Sequence, residues 1–157
     1  GDARAVSIVG EVGEMAARHK LRVALYPHAG FYIESVEDAL RIADQVGRDN
    51  VGVTFNLCHY LRVGSRLPIE DLIKKAMPRL FVVTINGADA VDKPGAGWDR
   101  LIQPLGQGTY DVAGFVRTLQ RLGYRGPIGL QCYAVPGDKP ENLKKSMAAW
   151  KAMVPDR

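Results

Sequence analysis

The chain has 157 residues, a formal net charge of +4, 46% hydrophobic and 24% charged side chains. That length supports one domain with a real core but not two, and no apolar run approaches the roughly 20 residues of a membrane span. The basic residues are scattered in pairs, Arg41 with Arg48, Lys74 with Lys75 and Lys144 with Lys145, so they read as solvated helix faces rather than a nucleic-acid surface.

In chain order, two hydrophobic periods alternate. "RAVSIVGEVGEMAARHK" carries Val6, Val9, Val12, Met15 and Ala16 at helical spacing. "LRVALYP" follows as a short apolar strand. Ser35 and Asp38 fit a capping box opening "SVEDALRIADQVG", with Gly47 as its stop. "VGVTFN" is the second strand. Pro68 is placed at the first helical position of "PIEDLIKKAM", and Pro78 closes it. "LFVVTIN" is the third strand. Asp111 caps "VAGFVRTLQRL" and Gly123 ends it. "PIGLQCY" is the fourth strand, and "ENLKKSMAAWKAM" the last helix, capped from Asp138.

Strands that alternate with helices and read as near-continuous apolar runs predict a parallel sheet with right-handed crossovers. The fold class is therefore α/β, four strand–helix units preceded by one helix, in a single domain over residues 1–157. The longest irregular stretch, "GADAVDKPGAGWDRLIQPLGQGTYD", follows the third strand and exceeds the usual loop length, as functional loops often do.

Each strand ends in polar side chains: Tyr26 and His28, Asn56 and His59, Thr84 with Asn86 and Asp89, and Gln131. The carboxyl ends of parallel strands form the ligand face of α/β folds, so these groups are read as one site. Trp98 in the long loop is added as a residue that either stacks on a ligand or anchors the loop. "PLGQG" in the same loop reads as a turn. Cys58 and Cys132 lack metal-ligand spacing and are expected to be two buried thiols, which mildly favours a reducing, cytoplasmic compartment. "GDARAVS" has no apolar core, so no uncleaved secretory signal is expected, while export after cleavage stays open.

The segments "VALYPHAGF", "VGVTFNLCH", "VVTINGAD" and "PLGQGTYDVAGFVRTLQRLGYRGPIGLQ" resemble the C-terminal half of the xylose isomerase-like TIM barrels, the sugar-phosphate isomerase/epimerase superfamily. The resemblance implies strands five to eight of a (β/α)8 barrel and one divalent ion, Mn²⁺, Mg²⁺ or Zn²⁺, held by Glu, Asp, His and Glu. The two glutamates would also move protons next to a carbonyl. Those four positions fall on Tyr26, Asn56, Asn86 and Gln131; His59 and Asp89 keep their places in "D-x-x-H" and "H-x-x-D".

All four replacements are uncharged, and hard divalent cations need carboxylate charge to offset lost hydration. No metal or other cofactor is therefore expected. The expected ligand is a small carbohydrate, bound by Tyr26, Asn56, Asn86, Asp89, Gln131 and Trp98, with His59 and His28 as the catalytic candidates. The two readings are an isomerase/epimerase-type enzyme and a non-catalytic carbohydrate-binding or regulatory protein of the same descent. Four strands cannot close a barrel. The chain is accordingly expected to pair with a missing N-terminal half or with a second copy of itself, leaving Val23, Leu25, Val53, Phe55, Val83 and Leu130 on an open inner face.

Overall fold

The computed structural model describes residues 1–154. Helix α1 (Asp2–Arg18) leads into strand β1 (Val23–Leu25), followed by α2 (Val36–Val46), β2 (Val51–Asn56), α3 (Leu57–Val63) and α4 (Ile69–Ala76). Strand β3 (Leu80–Ile85), α5 (Trp98–Leu101), α6 (Val112–Arg121), β4 (Ile128–Leu130) and α7 (Lys139–Met153) complete the order. The four strands form one sheet in sequence order, every pair parallel. This is one half of an eight-stranded barrel wall.

The local signals act where expected. Ser35 Oγ accepts from the Asp38 N–H at 3.1 Å, and Asp38 returns the favour to the Ser35 N–H, also at 3.1 Å. Gly47 then takes φ 68°, the left-handed cap that ends α2. Asp111 caps α6 through the Gly114 N–H at 2.7 Å, and Asp138 caps α7 through the Glu141 N–H at 2.9 Å. Pro68 sits one position earlier than expected, as the N-cap of α4, and Pro78 falls in a 3₁₀ turn after it.

Two expectations are corrected. Val53, Phe55 and Val83 are fully buried rather than open. They pack beneath the helices: the Phe55 ring lies 5.1 Å from both Tyr60 and Phe115. Leu25 is also buried, while Val23 and Leu130 are half-buried. The reason is strand parity: odd positions of β2 face the helix layer, which leaves Thr54 and Asn56 on the opposite face. Cys132 is exposed, and only Cys58 is a buried thiol.

What stays open is at the edges. Among the described residues, β1 pairs only with β2 and β4 only with β3. Beside these edges, α1 exposes Ile8, Val12 and Met15, and α7 exposes Leu143 and Met147. Two of the five residues of the expected α1 stripe, Val12 and Met15, therefore face solvent. Among the described residues no helix is long and apolar enough to cross a membrane.

The long stretch after β3 is more ordered than a loop. It contains α5 and an antiparallel bridge between Gly87 and Gln103. The Leu105 N–H donates to the buried Ser146 Oγ at 3.0 Å, tying this segment to α7. Replacing Ser35 by Ala removes one side of the α2 capping box and is expected to cost about 1 kcal/mol of stability. Urea denaturation measures it, and an unchanged midpoint would show that packing alone sets the entry to α2.

Candidate functional site

Asn56 ends β2 and begins α3 with no connecting loop, and this junction organises the site. Its Oδ1 accepts the His59 N–H at 3.3 Å as the helix cap, and also the Cys58 thiol at 2.9 Å. The amide oxygen is thus committed to backbone, which turns Nδ2 toward β1, where it donates to the Tyr26 hydroxyl. From the far side of the half-barrel, Gln131 Nε2 donates to the same hydroxyl at 3.1 Å. The Gln131 oxygen accepts the Tyr133 N–H at 3.2 Å, so its orientation is also fixed by backbone. Tyr26 is 42% exposed at the strand ends, and partial burial raises its pKa above the usual phenol value.

The two histidines stack beside this network. Their rings lie 4.2 Å apart, His59 stands edge-on to Tyr26 at 5.6 Å, and Tyr26 is 6.3 Å from His28. One residue sets both tautomers. The Ala29 N–H donates to His59 Nδ1 at 3.2 Å, which places the His59 proton on Nε2. The Ala29 carbonyl lies 2.9 Å from His28 Nδ1, which must therefore carry the proton and leave Nε2 a free lone pair. Burial, reinforced by His28, lowers the His59 pKa to about 4. The neighbouring Cys58 thiol is pushed up to about 12 by burial and is inert as a nucleophile.

Trp98 opens α5 and stands edge-on to His59 at 5.1 Å. The Arg62 guanidinium lies over the Trp98 ring at 5.2 Å and donates to the carbonyls of Gly95 and Ala96. Trp98 thus borders the histidines while anchoring its own loop.

Six of the eight expected residues, Tyr26, His28, Asn56, His59, Trp98 and Gln131, are in contact with one another in this way. The other two point elsewhere. Asn86 is fully buried, and its Nδ2 donates to Gly87 O at 2.7 Å and Leu101 O at 2.6 Å. Asp89 pairs with Arg100 at 3.2 Å, which holds its carboxyl below the usual range.

Phe31, 4.3 Å from the His28 ring and 68% exposed, was not singled out by the sequence. Its only signal was its place in "PHAGF" behind a flexible glycine, Gly30, at φ 83°. A wide cleft lies away from the strand ends, between the start of α2 and the α3–α4 connection. Its Arg41 is already paired with Asp2 and Asp38.

The donor set does not fit a hard divalent cation. Tyr26, Asn56, Asn86 and Gln131 offer phenol and amides, and the oxygens of Asn56 and Gln131 are spent on N–H groups. Asn86 Oδ1 is the one donor of the four left buried without a partner. No group of three or more His, Cys, Asp or Glu comes together among the described residues. A lone neutral amide oxygen cannot replace the hydration shell of such an ion.

A family model described as xylose isomerase-like TIM barrel matches residues 1–153. Inosose isomerase of Bacillus licheniformis is 28% identical over 147 residues, covering 92% of this chain and 50% of that protein. Two solved structures share the fold. IOLI protein with a binding zinc atom superposes with a TM-score of 0.80 at 20% identity, covering 98% of this chain and 56% of that one. D-allulose 3-epimerase from Methylomonas sp. gives 0.77 at 18%, with the same coverages, 98% and 56%. The chain spans about half the length of the inosose isomerases it matches.

The lowered pKa of His59 has a signed consequence. Its imidazole is neutral in the fold and protonates more readily when unfolded, so the unfolded state binds more protons between about pH 6.5 and about pH 4. The stability it contributes is complete above pH 6.5 and is lost as pH falls through that window. Nitrogen chemical shifts should show His59 neutral and Nε2-protonated at pH 5.5. A midpoint near 6.5 would mean the ring is solvated and the tautomer assignment wrong.

Proposed function

Because this chain belongs to the xylose isomerase-like TIM barrel family, we propose that its strand ends bind a polyhydroxylated ketone of the carbohydrate class. Binding uses neutral hydrogen-bonding groups rather than a divalent cation. The observation that carries this reading is the Tyr26–Asn56–Gln131 network, in which the amides at two strand ends serve the phenol at a third. Phenol, amide and imidazole groups each pair well with sugar hydroxyls, and Trp98 offers an aromatic border. The relatives inosose isomerase and D-allulose 3-epimerase are named for substrates of this class.

The reaction class is isomerisation or epimerisation through proton transfer next to the carbonyl. A second reading, a non-catalytic carbohydrate-binding or regulatory protein, is favoured by one observation: Tyr26 and Gln131 are not bases near neutral pH. Of the two histidines, only His28 presents a free lone pair, so it is the base if the site is catalytic.

Elemental analysis after dialysis without chelator is expected to find no stoichiometric Mn, Mg or Zn. Near-stoichiometric metal would refute the neutral-site reading. Replacing Asn56 by Asp, Asn86 by His and Gln131 by Glu together is expected to raise divalent-metal affinity by at least tenfold, measured by calorimetry on the folded variant. Unchanged affinity would place the cation-binding positions of the fold elsewhere.

The same reading requires a second half-barrel, either on a longer polypeptide or as a second copy of this chain. It rests on the two open strand edges and on the apolar residues Ile8, Val12, Met15, Leu143 and Met147 beside them. The chain alone is expected to self-associate in sedimentation velocity at micromolar concentration. A cooperative, well-behaved monomer would show that four strands suffice.

A further inference from the structure

Resting on the neutral-site reading above, we propose that Tyr26 is the electrophile of this site. Its hydroxyl donates a hydrogen bond to the ligand's carbonyl oxygen while His28 Nε2 removes the proton from the adjacent carbon. The two residues thereby divide the work that a cation and a carboxylate would otherwise share.

The assignment follows from counting hydrogens. A phenol oxygen has two lone pairs and one proton. Here both acceptor places are filled, by Asn56 Nδ2 and Gln131 Nε2. Neither amide can be turned round, because the oxygen of each is held by a backbone N–H, that of His59 or of Tyr133. The Tyr26 proton therefore cannot go to either amide, and among the described residues the hydroxyl donates to none. It is left aimed at the open strand ends, where the ring is 42% exposed. Two N–H groups donating to an oxygen polarise its O–H and steady any negative charge that develops there. Partial burial meanwhile keeps Tyr26 protonated at neutral pH.

The base is placed by the same accounting. Ala29 gives its N–H to His59 and its carbonyl to His28, so His59 retains only a donor and His28 only an acceptor. His59 is a positioning residue: neutral, and stacked at 4.2 Å on the ring that becomes cationic.

In the step itself, the C–H bond next to the carbonyl breaks and its proton goes to His28 Nε2. The bonding pair forms C=C, and the carbonyl π pair moves to oxygen, which takes the Tyr26 hydrogen bond. For epimerisation, the planar enediolate turns over and the protonated His28 returns its proton to the same carbon. For isomerisation, His28 returns it to the former carbonyl carbon, while the hydroxyl on the neighbouring carbon passes its proton to the former carbonyl oxygen and becomes the new carbonyl, so that atoms and charges balance. No oxidant or further reactant is consumed.

The test uses the protein in the assembly it forms in solution, with inosose and D-allulose as probes in D₂O containing chelator. Mass spectrometry reads deuterium entering the carbon beside the carbonyl, and calorimetry reads binding. The wild type is expected to bind and exchange. Tyr26→Phe should slow exchange by about 100-fold or more while binding falls less than about tenfold. His28→Gln should slow it by about 100-fold as well.

Asn56→Asp provides the second arm. The carboxylate still caps α3 but accepts the Tyr26 proton instead of donating to its oxygen, so exchange should fall as in Tyr26→Phe with an unchanged melting temperature. Exchange within threefold of wild type in Tyr26→Phe overturns the proposal, as does exchange that chelator abolishes. Binding without exchange in the wild type also overturns it, yet leaves the neutral site standing. Absence of binding to both probes would refute the underlying reading together with this one.

Discussion

The arrangement depends on one constraint: β2 passes directly into α3 with a single asparagine at the joint. Every residue of β2 is buried, and the strand is held by β1 along its first half, from Val51 to Val53, and by β3 along its second, from Val53 to Asn56, so it has no freedom to shift. With no loop between strand and helix, Asn56 must supply an oxygen to the exposed N–H groups of α3. That demand fixes which end of the amide faces Tyr26. The capping bond and the site are one interaction seen from two directions, and the conformation of His59, three residues on, is fixed by the same turn.

Most of the framework was legible in the sequence because its signals are local. The Ser35–Asp38 box, Gly47, Asp111 and Asp138 each act within one helical turn, and each performs the expected task. The strands were legible from their β-branched runs. α3 was not, because "LCHYLRV" follows the strand without a breaker and only the cap at Asn56 betrays a change of period. The site was legible as a set of positions but not as a geometry. Asn86 satisfies the same strand-end rule as Asn56, yet it turns to the carbonyl of Leu101, fifteen residues away, a partner that no local pattern foretells. The tautomers of the histidines were equally out of reach, since they rest on the peptide of Ala29.

Neutrality changes how such a site holds itself together. Converging carboxylates repel, and need a cation or a proton before they can approach. Amides and a phenol carry both donors and acceptors, so they can satisfy one another with nothing added. The Asn56–Tyr26–Gln131 bridge links β1, β2 and the residue after β4 across the ligand face in this way. It gives this half-barrel a mouth preorganised by its own side chains.

The segment after β3 behaves differently. A side chain on Gly87 would overlap the carbonyls of Pro104 and Gln107, and one on Gly108 would overlap the carbonyl of Ala88. Gly108 also takes φ 85°, where other residues are strained. The two backbones run too close for any Cβ, so mutation can hardly enter there. At Asn56 and Gln131, by contrast, one exchange of an amide for a carboxylate alters the chemistry and leaves the volume intact. Shape and reactivity are thus inherited through separate residues, and a lineage built on this half-barrel can explore new chemistry at its strand ends without renegotiating the scaffold that frames them.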